Sequence, residues 1–204
     1  AVDHYEDVLG TYLVKLSAKH LSTEDNRTIN TLLHTIGDFE RVSDHAVNLI
    51  KTAEEIRDKS IKFSDEALGD LSVLEAAVQD IVNRTVDAFQ KGDTYAAKKI
   101  EPLEQVVDGL VREVKSRHIA RLQAGACTIE YGFVLDDLLT NYERIADHCS
   151  NIAVAMIEVA ADKFDTHEYL NTVKHGDDVK FERRYETYRG RYTFPPEAYS
   201  EPAE

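Results

Sequence analysis

A helical segment with two acidic residues and a histidine occurs twice in this sequence. Residues 40–51 are ERVSDHAVNLIK, and residues 143–154 are ERIADHCSNIAV. Glu, Arg, Asp, His and Asn match at an offset of 103 residues. This agreement indicates an internal duplication, so we expect the chain to fold as two related units.

The segments that precede these two helices also correspond, at an offset of 98 residues. The matched positions are Val2, Glu6, Leu9, Leu13 and Leu16 in the first half, and Ile100, Glu104, Val107, Val111 and Val114 in the second. Residues 64–90 form a further helical segment that would open the second unit. Its counterpart in the first unit would lie before residue 1, so we expect a fragment whose first unit lacks its opening helix.

Apolar residues recur at helical spacing along nearly the whole chain, and no segment alternates for long enough to predict a strand. We predict helices over residues 2–19, 24–59, 64–91, 95–123 and 129–164, with a weaker one over 167–189. The fold class is therefore all-α, a bundle of long antiparallel helices. The expected units are a first repeat over residues 1–62, a second over 63–165, and a C-terminal helix with a disordered tail over 166–204.

The formal charge of -14 limits the partners of this surface. Nucleic acid and anionic lipid headgroups would both be repelled, so neither is expected to bind directly. The two cysteines are too few for a disulfide framework and favour a reducing compartment. An acidic surface of this kind favours cation binding.

Three pairs of carboxylates share one spacing, in which the second member lies four positions after the first. They are Glu40/Asp44, Glu104/Asp108 and Glu143/Asp147. Residues four apart lie on one face of a helix, and each pair borders the apolar stripe of its own helix. Carboxylates in such positions repel one another and need positive charge nearby, from metal ions or from Arg and Lys side chains.

If the two helices of the second half face each other, four carboxylates converge in an oxygen-rich cation site. Its ligands would be Glu104, Asp108, Glu143 and Asp147. The first half would offer Glu6, Glu40 and Asp44, because Gly10 replaces the fourth acid. We expect weaker binding or fewer ions there. Carboxylate ligands permit Fe, Zn, Mn, Mg or Ca.

Two other interpretations stay open from the residues alone. In an acidic helical adaptor, the carboxylates would make only salt bridges and hold no metal. A di-iron carboxylate enzyme typically needs Glu-x-x-His on two helices, but here His45 and His148 follow their glutamates by five residues. The two histidines are rotated about 100° from the preceding aspartates, which disfavours metal ligation. A hydrogen bond to a metal ligand, a hydrogen bond between helices and a plain structural role all stay open for them.

The repeated E-x-x-x-D and ERxxDHxxN motifs resemble those of the PhoU family of phosphate-uptake regulators. The segments YEDVLGTYLVKLS, LLHTIGDFERVSDHAVNL, YERIADHCSNIA and HEYL are most similar to the C-terminal PhoU-like domain of bacterial type II sodium/phosphate cotransporters. The resemblance extends from Val2 to about Tyr192. Gly10 and the missing opening helix depart from the family pattern.

This resemblance implies a bundle of two three-helix repeats that regulates phosphate uptake and is not an enzyme. It implies multinuclear iron or zinc sites on the motif pairs, namely Glu104, Asp108, Glu143 and Asp147, and Glu40 and Asp44 with Glu6. The domain would lie on the cytoplasmic side of the membrane. Its partner would be the transmembrane part of its own phosphate transporter, and a second copy of the chain is a further candidate partner.

Overall fold

A computed structural model describes residues 2–161 and 179–196. Within these ranges every regular element is helical, which confirms the predicted all-α class. The helices are α1 (Val2–Ser17), α2 (Thr23–Asp58), α3 (Asp65–Lys91), α4 (Thr94–Ala97), α5 (Ile100–Gln123), α6 (Ile129–Ala160) and α7 (Val179–Arg191). Among these described helices, none is both long and apolar enough to cross a membrane.

Capping residues determine where helix α2 begins and where helix α3 begins and ends. Ser22 accepts a hydrogen bond from the backbone N–H of Asp25 and begins α2, and Ser64 accepts one from Ala67 and begins α3. The left-handed conformation of Gly92, with φ of 61°, ends α3. Short polar side chains at N-caps and Gly at C-terminal caps are the residues that helix ends prefer.

The predicted helix over residues 95–123 is in fact two helices, because the chain turns at residues 98 and 99. Pro102 explains the break. It has no N–H to donate to the Lys98 carbonyl, so a helix that ran through this point would lose a hydrogen bond. In the first turn of α5 the missing donor costs nothing, and Arg184 Nη1 of α7 donates to Lys98 O at 2.9 Å instead.

The hydrophobic core lies in a three-helix unit made of α3, α5 and α6, and α2 packs along the outer side of α6. Fully buried side chains of this unit include Leu74, Ile81, Leu103, Val107, Leu139 and Ile152. The first half has fewer buried apolar residues, among them Leu13 and Ile29. Helix α1 packs mainly on α2, so the two halves are related in sequence but unequal in packing.

The segment after α7 differs from its prediction as disordered tail. Tyr192 Oη donates to Asp80 Oδ2 at 2.7 Å, and Arg117 lies over the Phe194 ring at 4.7 Å. Arg117 Nη1 also donates to Pro195 O at 2.9 Å. Residues 193–196 are therefore held on α3 and α5. The rest of the predicted tail and residues 167–178 of the predicted last helix lie outside the described residues.

Candidate metal centre

Helices α5 and α6 bring three carboxylates together at the edge of the core. Glu104 and Asp108 come from α5 and Asp147 from α6, and one oxygen of each lies within 4.8 Å of the other two. Glu104 is only 4% exposed. The four-residue spacing places Glu104 and Asp108 on one face of α5, and the packing of α5 on α6 supplies Asp147.

Glu143, the fourth predicted ligand of this half, is half-buried on α6 and lies outside the group of three. The guanidinium of Arg144 lies at the edge of the group, with Nη1 3.4 Å from Asp147 Oδ2. The Arg144 side chain is 60% exposed. An exposed ion pair of this kind contributes about 0–1 kcal/mol.

The first half carries a second, more exposed group of three carboxylates. Asp3 of α1 joins Glu40 and Asp44 of α2, with oxygens within 4.8 Å of one another. Burial, and then the charge and hydrogen bond of Asp44, raise the pKa of Glu40 above its usual value, and Glu6 and Asp3 add to this rise. The structure thus brings Glu40 and Asp44 together as acids that share one site.

Glu6, which was predicted as a ligand in this half, lies beside the group rather than within it. Its Oε1 is 3.4 Å from the position that a β-carbon on Gly37 would occupy. The Glu6 carboxylate therefore lies against Gly37 on α2. From there Glu6 acts on Glu40 through its charge.

Asp3 is the ligand candidate that the sequence reasoning missed. The offset of 98 residues pairs it with Glu101, so both halves have an acid three residues before Glu6 or Glu104. That match was the available signal. In the second half, Glu101 is 5% exposed and accepts a hydrogen bond from Ser150 Oγ of α6.

The two repeated histidines form the contact between α2 and α6. Their rings stack with centroids 5.7 Å apart. His45 Nδ1 donates to Asn141 Oδ1 at 2.9 Å, and His148 Nδ1 donates to Asp38 Oδ1 at 2.8 Å. Asp38 and Asn141 are also 103 residues apart, so each half makes the same contact with the other across an approximate two-fold axis.

This reciprocal arrangement shows hydrogen bonding between helices, one of the three roles that the sequence leaves open for the histidines. Neither His45 nor His148 belongs to the acidic groups found among the described residues. Each histidine follows an aspartate of one group, Asp44 or Asp147. Each copy of the hexapeptide thus presents its aspartate to a candidate ion site and its histidine to the partner helix.

The donor set fits a hard or borderline cation. Each group offers three carboxylate oxygens and, among the described side chains within it, no thiolate or imidazole. Oxygen ligands of this kind suit Mg²⁺, Mn²⁺, Ca²⁺ and iron, and zinc also accepts carboxylates. An ion would remove the mutual repulsion of the three charges, which is the electrostatic reason to expect one here.

The two cysteines provide no activated thiolate. Cys149 is 2% exposed in the core, and burial raises its pKa to about 11. Burial also raises the pKa of Cys127, whose Sγ lies 3.7 Å from His118 Nδ1. Reactive cysteines need the opposite shift, so these thiols are neutral near pH 7.

Residues 71–156 match the model of the PhoU domain. The matched span runs from the first turns of α3 to the later part of α6. It therefore contains the three-helix unit and the group formed by Glu104, Asp108 and Asp147.

Curated proteins named as phosphate transport accessory proteins are similar over a longer span. The chain is 24% identical over 152 residues to phosphate-specific transport system accessory protein PhoU homolog 1 of Thermotoga maritima, covering 74% of this chain and 64% of that protein. It is 28% identical over 159 residues to the PhoU protein of Edwardsiella tarda, covering 74% and 61%. It is 22% identical over 149 residues to the PhoU homolog of Borreliella burgdorferi, covering 72% and 66%.

The chain thus spans between 61% and 66% of the length of these three relatives. The domain match and the relatives agree with the family that the sequence motifs resemble. The unit that runs from α3 to α6 matches the PhoU domain, and the chain is similar to PhoU proteins over 72–74% of its length.

Proposed function

We propose that this chain is a regulatory domain of phosphate transport that binds metal ions through its two groups of carboxylates. One observation carries the proposal. Glu104, Asp108 and Asp147 converge within 4.8 Å inside the span that matches the PhoU domain. The names of the relatives, all phosphate transport accessory proteins, supply the process in which the domain would act.

In its finer form, the proposal makes this chain the cytoplasmic PhoU-like domain of a sodium-dependent phosphate cotransporter. Its partner is then the transmembrane part of the same transporter, and metal binding adjusts how the domain contacts that part. The domain carries out no reaction of its own. Iron or zinc is the expected metal, with Mn, Mg and Ca as the alternatives that a carboxylate site allows.

Metal content tests the binding half of the proposal. Elemental analysis of the purified chain is expected to find iron or zinc, and an Asp108→Ala/Asp147→Ala variant is expected to lose most of the metal. Asp136 and Asp87 are exposed acids outside both groups, so an Asp136→Ala/Asp87→Ala variant is the matched control. Equal metal content in all three proteins, or no metal in any of them, would contradict metal binding by these carboxylates.

Phosphate uptake tests the regulatory half. Phosphate uptake is measured in cells while external phosphate changes from scarce to abundant. Cells that carry the Asp108→Ala/Asp147→Ala substitutions in the parent gene are expected to take up phosphate at a rate different from that of wild-type cells. The control variant is expected to behave as the wild type. Unchanged uptake at every phosphate concentration, with metal lost, would leave a metal-binding domain without this regulatory role.

A helical adaptor without metal is the second candidate, and the ion pair between Arg144 and Asp147 favours it. In that case Arg144 supplies the positive charge that the acids need. The adaptor interpretation expects Arg144→Gln to lower stability, with no response to a chelator. The metal interpretation expects the same substitution to have little effect on stability in the presence of metal.

A further inference from the structure

Two cations lie over one exposed aromatic ring at the point where α7 meets the turn between α4 and α5. Lys99 Nζ is 4.4 Å from the centroid of the Tyr95 ring, and the guanidinium carbon of Arg184 is 5.6 Å from it. Tyr95 is 64% exposed. Arg184 is half-buried and donates from Nη1 to Lys98 O at 2.9 Å, so contacts within the protein fix the position of its charge.

The break in the chain before α5 builds this arrangement. Pro102 disfavours one continuous helix there, and the resulting turn places Lys98 and Lys99 between α4 and α5. Lys98 is exposed, and so is Arg183, which precedes Arg184 on α7. We call these four cations the basic cluster, and its members are Lys98, Lys99, Arg183 and Arg184.

The basic cluster differs from neighbouring cations in its lack of carboxylate partners. Lys91 at the end of α3 pairs with Asp87 at 2.6 Å, and Arg189 of α7 pairs with Glu186 at 3.5 Å. Among the described residues, no carboxylate forms an ion pair with any member of the basic cluster. Uncompensated charges of one sign repel one another, so an anion at this position would relieve the repulsion.

The acids nearest to the basic cluster in the sequence are directed elsewhere. Glu101 is 5% exposed and accepts a hydrogen bond from Ser150 Oγ of α6. Asp93 accepts two backbone hydrogen bonds as the N-cap of α4. Glu182 lies two residues before Arg184, on the opposite side of α7. The cluster is therefore a local region of positive charge in a chain whose formal charge is -14.

We propose that the basic cluster binds the phosphate group of a small solute, either inorganic phosphate or a phosphate monoester. A phosphate group carries a charge of about -1.5 to -2 near pH 7 and offers three acceptor oxygens, so it can neutralise several cations at once. The planar guanidinium of Arg184 presents donors that suit such oxygens. The choice of phosphate among oxyanions rests on the proposed function in phosphate transport.

A bilayer is the less favourable source of the same phosphate chemistry. Screening limits the reach of a surface charge to about 8–10 Å at ordinary ionic strength. A small solute therefore meets mainly the basic cluster, whereas an extended anionic surface also meets the acids around it. We expect the cluster to bind phosphate in solution and to leave anionic vesicles unbound.

Titration of the chain with inorganic phosphate, followed by ³¹P NMR, tests the proposal. Metal and chelator are removed by dialysis first, so that phosphate cannot bind through an ion on the carboxylate groups. Arg184→Gln is expected to weaken binding at least about tenfold, because it removes a charge-assisted hydrogen bond. Arg189→Gln is the matched control and is expected to keep the wild-type affinity, since Arg189 pairs with Glu186 outside the cluster on the same helix.

A second variant separates loss of the site from loss of the fold, because Arg184 also attaches α7 to the turn before α5. Lys98→Gln/Arg183→Gln removes two exposed charges and keeps the Lys98 carbonyl that Arg184 contacts. It is expected to weaken phosphate binding about tenfold. Its helical content, measured by circular dichroism, is expected to equal that of the wild type.

Several results would overturn the proposal. These are no binding of phosphate by the metal-free chain, and equal affinity in the wild type, Arg184→Gln and the double variant. Binding to phosphatidylcholine vesicles that contain phosphatidic acid, without binding of inorganic phosphate or glycerol phosphate, would assign the cluster to a lipid headgroup. Phosphate that binds only after metal is added would lie on the carboxylate groups. That outcome would remove the phosphate site of the basic cluster and leave the proposed metal binding intact.

Discussion

Replacing Asp147 with Asn should change stability in opposite directions in the metal-free and the metal-loaded protein. The change preserves side-chain size and removes one of three charges within 4.8 Å. Two unit charges at that distance repel by about 1 kcal/mol in bulk water and about 3.5 kcal/mol at an effective dielectric constant of 20. The Asp147 side chain is 35% exposed, so the lower value applies.

The substitution also removes the ion pair with Arg144, which is worth about 0–1 kcal/mol. Relief from repulsion by both Glu104 and Asp108 exceeds this loss, and we expect a net gain of about 1 kcal/mol without metal. For a chain of this length, that raises the melting temperature by about 2–4 °C. With metal at a hundred times its Kd, the wild type gains about 2.7 kcal/mol, most of which the variant should lose.

Thermal unfolding followed by circular dichroism, in EDTA and in excess Zn²⁺ or anaerobic Fe²⁺, measures both effects. Asp136→Asn is the matched control, because Asp136 lies on the same helix, pairs with Lys115 and is 62% exposed outside the group. It should lower stability slightly in both conditions. If Asp147→Asn is destabilising in EDTA and keeps the full metal-induced shift, the three carboxylates do not form an ion site.

Three further outcomes are expected. Gly10→Asp should increase the metal affinity of the first half in a titration. The position corresponds to Asp108 in the second half, and a β-carbon at Gly10 meets no atom within 4 Å. Unchanged affinity would contradict the assigned repeat. Asp70→Ala should lower the free energy of unfolding, measured in urea, by about 3–5 kcal/mol. Arg121 is 3% exposed and lies 2.8 Å from Asp70, so the substitution would leave its charge buried without this partner. A loss below about 1 kcal/mol would contradict this reasoning. For Asp80, burial raises the pKa, but hydrogen bonds and charge from Arg84 and its neighbours outweigh burial and lower it below 3.8. Asp80 therefore stabilises the fold fully above its unfolded pKa, and this stabilisation is lost as pH falls through the folded pKa. In Asp80→Asn the free energy of unfolding should fall less steeply at acid pH than in the wild type. Parallel curves of the two proteins against pH would refute the lowered pKa.

Sequence periodicity predicted most of the fold, because helix ends such as those at Ser22, Ser64 and Gly92 depend on local hydrogen bonds that neighbouring residues alone determine. The break before α5 was missed although Pro102 marks it, because apolar residues keep helical spacing across the break, at Ala96, Ile100 and Leu103. The attachment of Phe194 could not be predicted. It depends on a contact with Arg117, far away in the sequence.

The candidate site was predicted where ligands repeat at fixed spacing on helices, as for Asp108 and Asp147. Which oxygens approach one another depends on the rotation of each helix about its axis, and the spacing does not determine that rotation. Asp3 was therefore missed and joins the first group, whereas Glu6 lies beside it against Gly37. The ligand roles of these residues remain predictions.

Helix α1 packs mainly on α2, so local opening of α1 would affect ion binding in the first half. A helix with few buried side chains opens locally at a small free energy, well below that of global unfolding. Its amide hydrogens should exchange with solvent long before those of α5. Because Asp3 lies on α1, an ion bound in the first half would select the closed form, and its apparent affinity would fall with the fraction of time that α1 is open.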